Sequence, residues 1–180
     1  MDHLIIFTGG PGSGKTTLID ALERQGFARS QEAGRGVIQD QVAIDGPALP
    51  WRDREAFAEA MLGWELRSYR LAGHSGGPVL FDRGLPDLIG YRSLCGLPVP
   101  DHLRRAVERF RYRREVFIAP PWAKIYRQDA ERKQSLEEAE RTYHAVARAY
   151  VDCGYTLVAL PKADVATRVA FVLERVGGVG

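Results

Sequence analysis

Eight consecutive residues, Gly9-Gly10-Pro11-Gly12-Ser13-Gly14-Lys15-Thr16, match the spacing G-x-x-x-x-G-K-[ST]. Glycines at these positions let a loop turn its N–H groups inward. A helix starting at the loop's end adds partial positive charge, so the arrangement binds polyphosphate. In such a loop Lys15 reaches the β- and γ-phosphates as a solvent-facing point charge, the Thr16 hydroxyl ligates Mg²⁺, and Thr17 follows in the first helical turn. The motif has the setting it requires. His3–Thr8 is short, apolar and β-forming, and Thr17–Gln25 is helix-forming with Gly26 as its stop. These residues imply a site for a nucleoside triphosphate, read as ATP with Mg²⁺.

Further chemistry-bearing residues recur where apolar runs end. Pro78–Asp82 is an apolar strand closing on an acid, the position from which a carboxylate holds Mg²⁺ beside the loop hydroxyl. Arg83 follows, placed either over the phosphates or in a surface salt bridge, and Asp87 suits either substrate contact or the first turn of a helix. Glu32 closes a second run, where it either accepts the proton of an acceptor hydroxyl or serves only as a solvated helix-start charge. Arg35 is placed to pair with Glu32 or to hold an acceptor's charge. Arg127 and Arg132 lie five apart, about 140° around an ideal helix. They bracket a triphosphate if their segment folds over it as a lid, and are otherwise a solvated face.

The elements that must position these groups are short apolar strands alternating with helices. Strands are expected near 3–8, 27–31, 78–82, 114–119 and 155–160. Helices are expected near 15–25, 33–45, 52–72, 86–95, 101–111, 123–134, 136–152 and 164–176. Ser135-Leu136-Glu137-Glu138 has the form of a capping box. Such alternation builds a parallel sheet covered on both faces, with ligands at the carboxyl ends of its strands. Trp51 and Trp64 fall in a helix-rich insert between the second and third strands, as packing residues or as part of an acceptor pocket.

Composition narrows the partners. A chain of 180 residues with a net charge of +2 reads as one domain, 1–180, with no electrostatic case for nucleic acid. The run Arg104, Arg105, Arg109, Arg111, Arg113, Arg114 is diluted by Glu108 and Glu115 and reads as a solvated helix face. Cys95 and Cys153 read as reduced, buried thiols, and His74, His102 and His144 lack metal-ligand spacing. A first strand starting almost at Met1 leaves no room for a leader, and no apolar run reaches the roughly 20 residues of a membrane span. A cytoplasmic protein is the expectation.

With these residues in place the chain resembles the NadR-type AAA-domain family, small P-loop proteins of nucleoside- or nucleotide-kinase architecture. The resemblance rests on the P-loop, Glu32-Ala33-Gly34-Arg35, Asp82-Arg83-Gly84-Leu85-Pro86-Asp87 and Val116–Trp122 ahead of Arg127. It extends through Glu137-Glu138-Ala139, Thr142-Tyr143 and Gly154-Tyr155. It implies five parallel strands in the order 2-3-1-4-5 and a lid after strand four. Two functions follow as expectations. One is a kinase moving the γ-phosphate of Mg-ATP to a hydroxyl of an unidentified small molecule. In it Lys15 and Thr16 hold phosphates and metal, Asp82 positions Mg²⁺, Glu32 activates the acceptor, and Arg83, Arg127 and Arg132 stabilise charge. The other is a nucleotide-dependent switch or binding protein with slow hydrolysis.

Pro161-Lys162-Ala163-Asp164 follows the last strand, where kinase-type folds contact the base. It resembles the guanine-reading N-K-x-D with proline in place of asparagine, and proline lacks the asparagine's side-chain hydrogen bonds. ATP is therefore expected to bind in preference to GTP with modest selectivity, as measured by competition for a bound nucleotide probe. Displacement at least tenfold better by GTP contradicts it.

Overall fold

Strand β1 (Leu4–Gly9) is buried along its whole length because it runs between two other strands. The structure is a computed structural model and describes residues 2–124 and 135–177. Strand β3 (Val79–Asp82) pairs with β1 on one side, in the register Leu4 to Val79 through Phe7 to Asp82. Strand β4 (Glu115–Ala119) pairs on the other, with Phe7 opposite Phe117 and Gly9 opposite Ala119. Strands β2 (Ala28–Ser30) and β5 (Thr156–Ala159) form the edges. Every pairing is parallel and the order is β2-β3-β1-β4-β5, the order that the family resemblance implies.

Side chains alternate across a strand, so β1 feeds two cores. Ile5 and Phe7 pack with Leu18, Ile19 and Leu22 of helix α1 (Lys15–Glu23), and with Val169 and Val172 of α7 (Val165–Val176). Phe7 stacks on Phe117 with ring centroids 5.2 Å apart. Leu4 and Ile6 face the opposite core. There α2 (Ala33–Ala43), α3 (Arg54–Ala72), α4 (Leu85–Leu94), α5 (Asp101–Arg109) and α6 (Leu136–Asp152) supply Val37, Phe57, Leu88, Leu103 and Tyr150. Burying apolar area on both faces, at about 25 cal/mol per Å², is what holds a parallel sheet of this kind together.

Local chemistry fixes the helix starts. Asp53 caps α3, its Oδ1 accepting from the Glu55 and Ala56 N–H groups at 3.0 and 2.9 Å. Ser135 and Glu138 form the expected capping box of α6, at 3.2 and 2.6 Å. Asp164, in the segment that resembles a guanine reader, caps α7 by accepting from Thr167 N–H at 2.8 Å. Along α5, Leu103, Ala106 and Val107 turn inward while Arg104, Arg105 and Arg109 are exposed. Tyr112, within the same basic run, is a core residue. Cys95 and Cys153 are partly rather than fully buried, and burial pushes the Cys153 thiol up. The helix expected over 123–134 falls almost wholly outside the described residues. Among the described residues, no helix is long and apolar enough to cross a membrane.

Candidate nucleotide and acceptor site

The loop between β1 and α1 is the expected P-loop, and its glycines are obligatory on this backbone. Gly9 has φ 128°, and a Cβ there would lie 2.4 Å from the Ala119 carbonyl oxygen. Gly12 and Gly14 also have positive φ, at 68° and 78°, a region that only glycine visits cheaply. Helix α1 opens on Gly14 with no side-chain cap, which leaves its first N–H groups to a phosphate rather than to a serine or aspartate. Ser13 Oγ donates to the Gly10 carbonyl at 2.8 Å and braces the turn.

Lys15 departs from expectation. It is 6% exposed rather than solvent-facing. Its Nζ donates to the Gly10 carbonyl at 2.9 Å and to the Gly9 carbonyl and Ser13 Oγ at 3.4 Å. The loop's own carbonyls turn toward the ammonium and hold it against the loop. Thr16 Oγ1 donates to Asp82 Oδ2 at 3.3 Å, so the two residues expected at a Mg²⁺ lie together. A hydroxyl and a single carboxylate suit Mg²⁺, which takes its remaining ligands from substrate phosphates and water. Among the described residues no group of three or more His, Cys, Asp or Glu side chains could hold a metal by itself.

Arg83 occupies the centre. Its backbone has φ 79°, a strained setting for a residue with a Cβ, costing of order 1–3 kcal/mol. Its guanidinium is no surface ion pair. It donates to Glu32 Oε1 at 3.3 Å, to Asp87 Oδ1 at 3.2 Å and to the Gly9 carbonyl at 3.1 Å. Burial works against the charge, but Asp87, Glu32 and Asp82 outweigh it and hold the guanidinium protonated more firmly than usual. Asp87 also resolves into a clear position. Its Oδ1 accepts from Thr8 Oγ1 at 2.6 Å as well as from Arg83. Its Oδ2 accepts from Gly84 N–H at 2.9 Å and Tyr150 OH at 2.6 Å. Four donors saturate this carboxylate, which thereby ties β1, α4 and α6 to Arg83.

The Glu32–Arg83–Asp87 cluster lines a cavity of about 540 Å³ that begins at Pro11 of the P-loop. Trp51, Phe57 and Met61 from the insert and Tyr91 from α4 complete it. Trp51, 61% exposed, stands at its mouth, whereas the Trp64 ring packs on Gly36. Arg127 and Arg132 lie outside the described residues.

Two residues at the site were not singled out from sequence. Glu65, 4% exposed in the middle of α3, lines the cavity. Arg168 of α7, 3% exposed, donates from Nη1 to the Ser13 carbonyl at 3.2 Å and the Gly14 carbonyl at 3.4 Å, clamping the P-loop from behind. Both interrupt an otherwise apolar helical stripe. Glu65 sits among Met61, Leu62, Tyr69 and Ala72, and Arg168 beside Val169 and Val172. A charge on a buried stripe is the signal that finds such residues, because it demands a specific reason to be there.

Asp87→Ala is expected to destabilise the fold by about 3–5 kcal/mol, since it removes one of the two carboxylates that hold the buried Arg83 charge and orphans three further donors. Asp87→Asn keeps the shape and is expected to cost less. Urea unfolding of both variants measures this, and wild-type stability in Asp87→Ala contradicts the described role.

Comparisons with known proteins identify the family and the fold. A family model described as an AAA domain matches residues 4–168, and the chain belongs to that family. A NadR protein solved in complex with NR aligns with a TM-score of 0.75 at 20% identity, covering 99% of this chain and 52% of that one. A NadR protein in complex with NAD and AMP-PNP aligns at 0.70 and 18%, covering 99% and 51%. Deoxyadenosine kinase from M. mycoides, with products dCMP and a flexible dCDP bound, aligns at 0.69 and 16%, covering 96% and 97%. This chain thus spans about half the length of the NadR chains. No curated protein matches. The fold is that of the P-loop kinases.

Proposed function

We propose that this member of the AAA-domain family is a small-molecule kinase, residues 1–180 forming one nucleotide-binding unit, that moves the γ-phosphate of ATP to an acceptor hydroxyl. One observation carries this reading: Pro11 of the P-loop and the Glu32–Arg83–Asp87 cluster line the same cavity of about 540 Å³. A nucleotide-dependent switch needs a surface that responds to the phosphates, not a second, largely apolar chamber of ligand size beside them. A NadR protein solved with NR and a deoxyadenosine kinase are among the structural neighbours. They support an acceptor of the nucleoside class.

In this reading the acceptor lies in the cavity with its hydroxyl toward Pro11 and Glu32. The acceptor oxygen forms a bond to the γ-phosphorus while the bond from that phosphorus to the β–γ bridging oxygen breaks. ADP leaves with the electron pair, and the hydroxyl proton passes to Glu32. Arg83 orients Glu32 through their 3.3 Å contact and sets positive charge beside the transferring group. Lys15, with Gly9–Gly14 and Thr17, cradles the phosphates. Thr16 and Asp82 would hold Mg²⁺, which when bound would supply charge neutralisation to the phosphates. Arg127 and Arg132, outside the described residues, are assigned the stabilisation of charge developing on the transferring group. Nearly all the rate enhancement in such a reaction comes from positioning and electrostatics.

The test is transfer from γ-labelled ATP with Mg²⁺ to a panel of nucleosides, sugars and small alcohols. A labelled phosphate ester is expected, and Glu32→Gln is expected to lower its formation by about 10²–10⁴-fold with ATP affinity unchanged. Label reaching water alone across the whole panel overturns the kinase reading. Wild-type transfer in Glu32→Gln leaves Glu32 with no proton to accept.

A further inference from the structure

The floor of the acceptor cavity carries an acid that neither the fold nor phosphate transfer uses. Glu65 lines the cavity beside Glu32, Arg83 and Asp87. Its Oε2 is buried with no hydrogen-bond partner among the described residues. Arg83 is the cation among the described lining residues, and it is already engaged by both Glu32 and Asp87. An ionised Glu65 would be a fourth negative charge around one guanidinium, after Glu32, Asp87 and Asp82. Burial first, then Asp87, Glu32 and Asp82, holds its carboxyl well above the usual carboxylate range, against the opposing pull of Arg83. The neutral acid offers an O–H donor and a carbonyl acceptor on one edge.

A buried polar atom without a partner costs stability and calls for a reason. Helix packing gives none, since an apolar residue at position 65 would complete the stripe of Met61, Leu62 and Tyr69. The remaining reason is a ligand. Resting on the reading of this cavity as the acceptor site, we infer that Glu65 is a specificity-determining residue that pairs with a donor–acceptor edge of the phosphate acceptor. The same floor excludes acceptors carrying an anionic group. Rejection follows from the carboxylates of Glu32 and Asp87, which leave Arg83 no charge to spare for an incoming anion.

Three nucleosides of closely related size serve as probes: uridine (uncharged, with an N3–H donor beside a carbonyl), 3-methyluridine (uncharged, with that donor replaced by a methyl group) and orotidine (which adds a carboxylate to the base). Their binding to the full chain with Mg²⁺ and AMP-PNP is measured by calorimetry, with transfer from ATP assayed in parallel. Uridine is expected to bind at least tenfold more tightly than either 3-methyluridine or orotidine. Glu65→Met is expected to weaken uridine at least tenfold, with AMP-PNP affinity within twofold and Tm no lower than wild type. Glu65→Gln keeps both hydrogen-bonding functions and is expected to bind uridine within threefold of wild type. Orotidine binding as tightly as uridine, or none of the three binding, overturns the inference. So does unchanged uridine affinity or a lowered Tm in Glu65→Met, or a tenfold loss in Glu65→Gln. Selective binding without phosphate transfer sustains the Glu65 assignment while removing the kinase reading.

Discussion

Arg83 is the point at which this fold is tied to its site. Its guanidinium meets Glu32 at the start of α2, Asp87 in the first turn of α4 and the Gly9 carbonyl where β1 enters the P-loop. Asp87 in turn accepts from Thr8 on β1 and Tyr150 on α6. Desolvating a charge costs several kcal/mol, which is recovered only where geometry and hydrogen bonding are nearly complete. Here two carboxylates and a carbonyl supply that completeness. The positive φ of Arg83 adds strain that an ordinary strand end would not carry. Such strain persists only where the surrounding contacts over-determine it.

This arrangement divides the carboxyl end of the sheet into two halves. Toward α1 and α7 lie the P-loop, Lys15 and the Thr16–Asp82 pair, clamped from behind by Arg168. Toward α2, α3 and α4 lies the cavity with its aromatic mouth and acidic floor. Arg83 belongs to both, since it contacts the first carbonyl of the P-loop and the residue proposed to accept a proton. A displacement of Asp87 or Tyr150 therefore reaches the phosphate side through a single side chain. Groups so placed are preorganised, which is how an active site lowers a barrier without reorganising during the reaction.

Local patterns carried much of this information. The P-loop lies within a contiguous stretch of sequence, and the apolar runs at 3–8, 78–82 and 114–119 are strands because a fully buried parallel strand needs no alternation. Helix starts at Asp53, Ser135 and Asp164 follow from capping chemistry that acts over three residues. The order of the strands came from resemblance, since no local pattern encodes it. Contacts across the chain were harder to read. Arg168 and the Gly14 carbonyl are 154 positions apart, and Asp87 and Tyr150 are 63 apart. Lys15 illustrates a subtler gap: its residue type and spacing gave the role proposed for it, but the inward turn of the Gly9 and Gly10 carbonyls is a property of the folded loop. Glu65 was not singled out, although a charge breaking an apolar stripe is a local signal, and its meaning depends on the cavity it lines.

The central claim is that phosphate donor and hydroxyl acceptor meet beside Arg83. A crystal structure of the chain with Mg²⁺, AMP-PNP and an acceptor from the transfer screen tests it most directly. The account predicts an acceptor oxygen about 3–3.5 Å from the γ-phosphorus, with that hydroxyl in hydrogen-bond reach of Glu32 and the remainder of the acceptor in the cavity. A γ-phosphate turned away from the cavity, or an acceptor seated elsewhere with Glu32 out of reach of its hydroxyl, would contradict it.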